Sequence, residues 1–272
     1  MQSLSKILLP VDFSERSAGA AHYARLLATH FDSEVILLHV LPPEGSPVLG
    51  ELDGYLSEEL AGLKVRRVTL EGDPAARIIE FANGIQEGQG ASLIIMPTHS
   101  YGPFRRFVMG SHTAKVLHEV HCPVWTGVHI EQAPDHGPIP MRKILCAIDL
   151  GPESSRTLCW AAQLAMEFGA RLSAVHATGP APEPESTSEA NWQSGIRQAA
   201  EAELQRLGQF VNADAELIVE GGDPEKVICA TAERSQADLL VIGRGSAAGV
   251  YGHLRTNAHA IIRMSPCPVV SV

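Results

Sequence analysis

Two aspartates, Asp12 and Asp149, each follow directly on a short apolar run, ILLPV at 7–11 and ILCAI at 144–148. A carboxylate at the end of a strand can accept hydrogen bonds from a sugar hydroxyl or an exocyclic amine. It can equally cap the helix that follows, by accepting from a backbone amide. Both roles need a short acceptor at that point, and one aspartate can fill both. Further candidates lie in two loops. MPTHSYGPFRRFVMGSHTAKVL at 96–117 places Gly110 and Ser111 at the opening of a helix, where free amides and the helix dipole favour an anion such as phosphate. Arg105 and Arg106 stand in the same loop, where solvated arginines are the commoner finding. IGRGSAAGVYGHLRTNAHAII at 242–262 carries Gly243 and Gly245 after its apolar run and Arg255-Thr256 where the first loop has Gly110-Ser111. Thr256 is expected to cap its helix, and Arg244 or Arg255 to pair with a phosphate.

Other chemistry is poorly supported. Twelve histidines are present, but His112, His118 and His121 with Cys122 do not share one helical face, and no second cluster completes a shell, so no metal site is expected. His39 and His176 occupy matching places at the end of a second apolar run and read as satisfied histidines rather than bases. The five cysteines include no CxxC pair and read mostly as small buried residues of a reducing compartment. There is no GxxxxGK[ST], HExxH or GxSxG motif, and no activated nucleophile on which to write a reaction.

What must position these residues is a duplicated scaffold. KILLPVDFSERS at 6–17 is answered by KILCAIDLGPES at 143–154, EVILLHV at 34–40 by RLSAVHA at 171–177, and EGDPAARIIEFA at 71–82 by GGDPEKVICATA at 221–232. SLIIMPTHS at 92–100 pairs with DLLVIGRGS at 238–246, and HCPVWTGV at 121–128 with PCPVVSV at 266–272. Five blocks in unchanged order imply two copies of one unit. EQAPDHGPIPM, with three prolines and no apolar period, reads as a linker. The expected division is one domain at 1–130, a linker at 131–140 and a second domain at 141–272.

Each copy alternates strand and helix. The runs ILLPV, VILLHV, KVRRVTL, SLIIM and CPVWTGV are rich in Val, Ile and Leu, as strands covered on both faces are. Ser14 is placed to cap a helix, Gly169 to end one, and Asp73-Pro74 and Asp223-Pro224 to cap and open two more. The segment 179–190, GPAPEPESTSEA, reads as a loop. The pattern predicts an α/β fold of two doubly wound parallel-sheet domains in tandem. The closing runs of the two copies are the expected pairing edges, which would make the chain an intramolecular pseudo-dimer of its two domains, with a homodimer as a further partner.

With 45% apolar and 19% charged residues and a formal charge of −10, the chain reads as a globular, cytoplasmic protein. Nucleic acid and membrane are not expected partners, since no basic patch or long apolar span is present.

The strand-one Asp, the LLHV and AVHA runs, the GDP element, the loop after strand four and the closing CPV together resemble the universal stress protein family, over almost the whole chain. The resemblance implies a Rossmann-like fold of the adenine nucleotide alpha hydrolase type and a sensor or regulator of stress response that binds ATP, with ADP or AMP as alternatives. It implies a site from Pro10, Val11, Asp12, Val40, Ser100, Gly110 and Ser111 in the first copy, and from Ala147, Ile148, Asp149, Gly243, Gly245, Arg255 and Thr256 in the second. The family's nucleotide loop reads Gly, two residues, Gly, nine residues, Gly, Ser or Thr. The first copy has Pro97 and Ser100 for the leading glycines, and the second has a shortened spacing and Arg255 for the last. An interaction module with degenerate sites is therefore the alternative, and a weak ATP hydrolase a lesser one.

Overall fold

The computed structural model describes residues 4–41, 49–86, 89–98, 111–127, 130, 139–180, 186–244 and 254–272, the side chains of 15, 49–51, 187–190 and 254–257 excepted. The chain divides into two compact units, Met1–Ile139 and Pro140–Val272.

In the first unit the strands are β1 (Lys6–Pro10), β2 (Glu34–Leu41), β3 (Lys64–Glu71), β4 (Leu93–Ile95) and β5 (Val124–Thr126), and the helices are α1 (Glu15–Phe31), α2 (Leu49–Gly54), α3 (Pro74–Ala82) and α4 (Ser111–Glu119). The strands lie in the order β3-β2-β1-β4-β5. All neighbours are parallel, with Leu8 of β1 opposite Ile36 on one side and Ile94 on the other. Side chains of β1, β2 and β4 are mostly buried on both faces, His39 interrupting the run in β2, as in a sheet covered on both sides. α1 lies against that sheet through Ala20, Ala21, Ala24, Leu27 and Ala28, a helical spacing in which small residues permit close approach. β3 departs from the expectation of two covered faces: its residues are half-buried or exposed along its whole length, because it is an edge strand.

The second unit repeats the plan with β6 (Lys143–Ala147), β7 (Arg171–Ala177), β8 (Ala215–Glu220), β9 (Leu239–Ile242) and β10 (Val269–Ser271), joined by α5 (Ser154–Phe168), α6 (Thr187–Val211), α7 (Pro224–Ser235) and α8 (Leu254–Met264). The order β8-β7-β6-β9-β10 matches the first unit strand for strand, again all parallel. Gly169 ends α5 at φ 61°, the left-handed conformation a C-terminal glycine adopts at least cost. Asp73 and Asp223 cap α3 and α7 by accepting from Ala76 N–H and Glu225 N–H.

Three expectations are corrected. Residues 187–190 of the supposed loop are the first turn of α6; Thr, Ser and Glu suit a helix start as well as a loop. Ser14 is the N-cap of α1 but makes no side-chain capping bond, because its hydroxyl goes to Asp12 instead. Helix α8 begins at Leu254, so Thr256 lies inside its first turn rather than at its cap.

Candidate functional site

The strand order reverses between β1 and β4, and between β6 and β9, so the crevice of each unit lies beyond the carboxyl ends of those strands. Asp12 and Asp149 stand there. The ladder with the second strand runs one step past each first strand, through Val11 N–H to Leu38 C=O and Ile148 N–H to Val175 C=O, both 2.9 Å. Chain direction then changes abruptly: Phe13 and Leu150, the residues after the aspartates, have φ of 59° and 58°. A bulky side chain in that region costs on the order of 1–2 kcal/mol, and the two units carry the same strained turn.

The turn fixes the carboxylates. Oδ1 of Asp12 accepts from Ser14 N–H at 3.1 Å, Ser14 Oγ at 2.5 Å and Ser17 Oγ at 3.3 Å. Oδ1 of Asp149 accepts from Gly151 N–H at 2.9 Å and Ser154 Oγ at 2.7 Å. Among the described residues no hydrogen bond reaches Oδ2 of either. Each carboxylate is thus anchored through one oxygen and presents the other, an arrangement suited to a neutral donor, hydroxyl or amine, and unsuited to phosphate. Ser17 and Ser154, both buried, hold the two aspartates and carried no motif signal, although each stands five residues after its aspartate in both repeats. Gly151 is constrained by the same turn, since a Cβ there would lie 3.1 Å from Asp149 Oδ1.

His39 and His176 complete the repeat. Their Nδ1 atoms lie 2.9 Å and 2.8 Å from the carbonyl oxygens of Val11 and Ile148; because a carbonyl only accepts, Nδ1 carries the proton. Both are satisfied residues that pin the strand-one turn to strand two. Val11 and Val40 are buried in the first unit, as are Ala147 and Ile148 in the second, and Pro10 ends β1. In the second unit Ala147, Ile148, Asp149, Glu153, Ser154, Thr157 and Gly243 line one crevice whose enclosed volume is about 10 Å³, roughly one water.

Of the anion seat, Ser111 opens α4 and is exposed. Thr113 Oγ1 donates to Pro97 C=O at 3.3 Å, tying α4 to the end of β4. Lys115 Nζ lies 3.6 Å from Asp73 Oδ2. The Ala76 amide above all, and then Lys115 and His112, hold the Asp73 carboxyl below its usual range. In the second unit Arg244 N–H donates to Val272 C=O at 3.1 Å, which extends the ladder beyond β9 and commits that amide. Ser100, Gly110 and Gly245, with Arg105 and Arg106, lie outside the described residues, as do the side chains of Arg255 and Thr256. Among the described residues no group of three or more His, Cys, Asp or Glu could hold a metal, and no helix is long and apolar enough to cross a membrane.

Two Rossmann-like domains in tandem, each with a strand-one aspartate at its switch point, define the class of molecule. The universal stress protein family model matches residues 4–126 and again 140–272, and the chain belongs to that family. A universal stress protein of Methanocaldococcus jannaschii is 36% identical over 139 residues, a match covering 44% of this chain and 79% of the relative. One from Thermus aquaticus is 30% identical over 133 residues, covering 43% of this chain and 94% of the relative. The crystal structure of a universal stress protein from Archaeoglobus fulgidus covers 100% of this chain and 98% of its own, with a TM-score of 0.70 and 23% identity, a likeness of fold over both units.

Proposed function

We propose that this tandem protein binds an adenine nucleotide in at least one of its two crevices and acts as a regulator in the stress response rather than as a catalyst. The observation that carries the proposal is the duplicated aspartate with one oxygen locked by its own turn and the other open. A ribose hydroxyl or an exocyclic amine is the donor such an oxygen takes, and the buried aliphatic residues beside it suit a base. The residues that would hold the nucleoside are Asp12 with Val11 and Val40, and Asp149 with Ala147 and Ile148. The start of α4 at Ser111, with dipole and free amides, would take phosphate in the first unit.

A second reading has its own support. Pro97 has no N–H to offer where the family loop has glycine, and the crevice that the described residues line beside Asp149 encloses only about 10 Å³. On that reading the crevices are degenerate and the tandem serves as an interaction module.

Calorimetric titration of the full chain with ATP, ADP and AMP separates the two. The nucleotide reading expects saturable heat that falls at least tenfold in affinity with Asp12→Ala or Asp149→Ala, whichever marks the working unit. Absence of heat with all three nucleotides favours the interaction module.

A further inference from the structure

The two crevices differ in what stands behind the strand-one turn, and the difference lies in the crossover between β2 and β3. Residues 52–63 of that crossover are held to the unit by three buried leucines, Leu52, Leu56 and Leu60, spaced four apart, although Leu56 sits at a φ of 54° outside regular helix. Two arginines from other elements then grip its backbone. Arg25 of α1 donates through Nη1 to the carbonyls of Glu59 and Ala61, both at 2.9 Å. Arg67 of β3 donates to the Leu52 carbonyl at 2.8 Å, the Tyr55 carbonyl at 3.3 Å and Ser57 Oγ at 3.1 Å. Charge-assisted bonds to main-chain oxygens hold a segment in one place more firmly than neutral ones do.

What the clamp presents is Tyr55. Its hydroxyl donates to the Ser14 carbonyl at 3.0 Å, and its ring stands edge-on to Phe13 with centroids 4.9 Å apart. Phe13 also meets the His39 ring, with centroids 4.5 Å apart. The strained residue after Asp12 is therefore in contact with two rings, and the serine that donates twice to Asp12 Oδ1 is fastened through its own carbonyl. In the second unit His176 has no such ring against it among the described residues, and the crossover holds the 25-residue helix α6 instead.

We infer that Tyr55 is a positioning residue of the first crevice: the clamped β2–β3 crossover sets, through Tyr55, the geometry of the Asp12 turn, and so the affinity of the first site for a nucleoside. Among the described residues the second site has no counterpart of Tyr55, so the control belongs to the first site and makes the two sites of the tandem unequal. The ligand half of this inference rests on the proposed nucleotide binding, whereas the geometric half does not.

Tyr55→Phe keeps the ring and removes only the bond to Ser14; Tyr55→Ala removes both and serves as the graded control. Amide hydrogen exchange of the full-length variants, read at Ser14 and Ser17, tests the geometry without any ligand. Exchange at Ser14 is expected to quicken several-fold in Tyr55→Phe and more in Tyr55→Ala, with exchange in β7 unchanged. Titration with ATP in an Asp149→Ala background then reads the first site alone, where loss of one hydrogen bond is expected to weaken binding about fivefold. Unchanged exchange at Ser14 overturns the inference whether or not ATP binds. Quickened exchange with ATP affinity equal to that of the parent overturns the ligand half. Quickened exchange with ATP bound by the parent but not in the Asp149→Ala background overturns the ligand half, and quickened exchange when the parent, with Asp149 intact, binds no ATP supports the positioning role and refutes the nucleotide reading instead.

Discussion

The strand-one aspartates owe their behaviour to neighbours two and five residues on, which take up Oδ1 and leave Oδ2 without a hydrogen bond among the described residues. Asp73 uses its carboxylate structurally, and its effect on stability can be signed. Its folded carboxyl is held low by the Ala76 amide first and by Lys115 and His112 after. The stabilisation is therefore fully present above the unfolded value near pH 4 and is lost as pH falls through the lower folded value. Asp73→Ala should cost about 1 kcal/mol at pH 7, and the gap between parent and variant in urea unfolding should close at the acid end. The thiols offer a second test. Burial pushes Cys229 up to about 11 and Cys267 up to about 12, and Cys146 in the central strand also rises. At pH 7.5 these three should react with a disulfide reagent far more slowly in the native protein than after guanidinium unfolding.

At the scale of elements, helix ends carry the clearest local chemistry. α5 stops at Gly169, but α7 stops at Gln236 with φ 53°, where an exposed glutamine accepts a left-handed conformation that glycine adopts freely. Gln236→Gly should raise stability by about 0.5–1 kcal/mol in thermal or urea unfolding. The GDP elements and Gly169 were legible in sequence because capping depends on residues adjacent in the chain. So was strand content, since Val, Ile and Leu runs answer to burial on two faces. The edge strand β3 was not legible, because KVRRVTL is apolar enough for a covered strand and only its place in the sheet exposes it. The start of α6 was hidden in a segment whose Ser, Thr and Glu serve loops and helix openings alike. Tyr55 carried no signal at all: its role comes from contacts with residues 41 and 42 positions away, a distance that periodicity does not reach.

For the whole molecule the duplication is the governing fact. The offset of 137 residues that relates Asp12 to Asp149 also relates Ser17 to Ser154, His39 to His176, and the strained Phe13 to Leu150. Three of these are side chains that make the same local bonds in both units. Two crevices of one origin have since diverged behind that shared turn, in the β2–β3 crossover and in the loop after strand four. With a formal charge of −10 the chain does not attract a polyphosphate at long range, so any nucleotide must be met by donors close at hand. In the proposed function the aspartates are the residues on which such binding turns. Titration of the intact chain with ATP, repeated on Asp12→Ala, Asp149→Ala and the double variant, tests this most directly. The account predicts saturable heat in the parent, a loss of at least tenfold in affinity in one single variant, and none left in the double variant. Binding that survives both substitutions undiminished, or no binding in the parent, would contradict it.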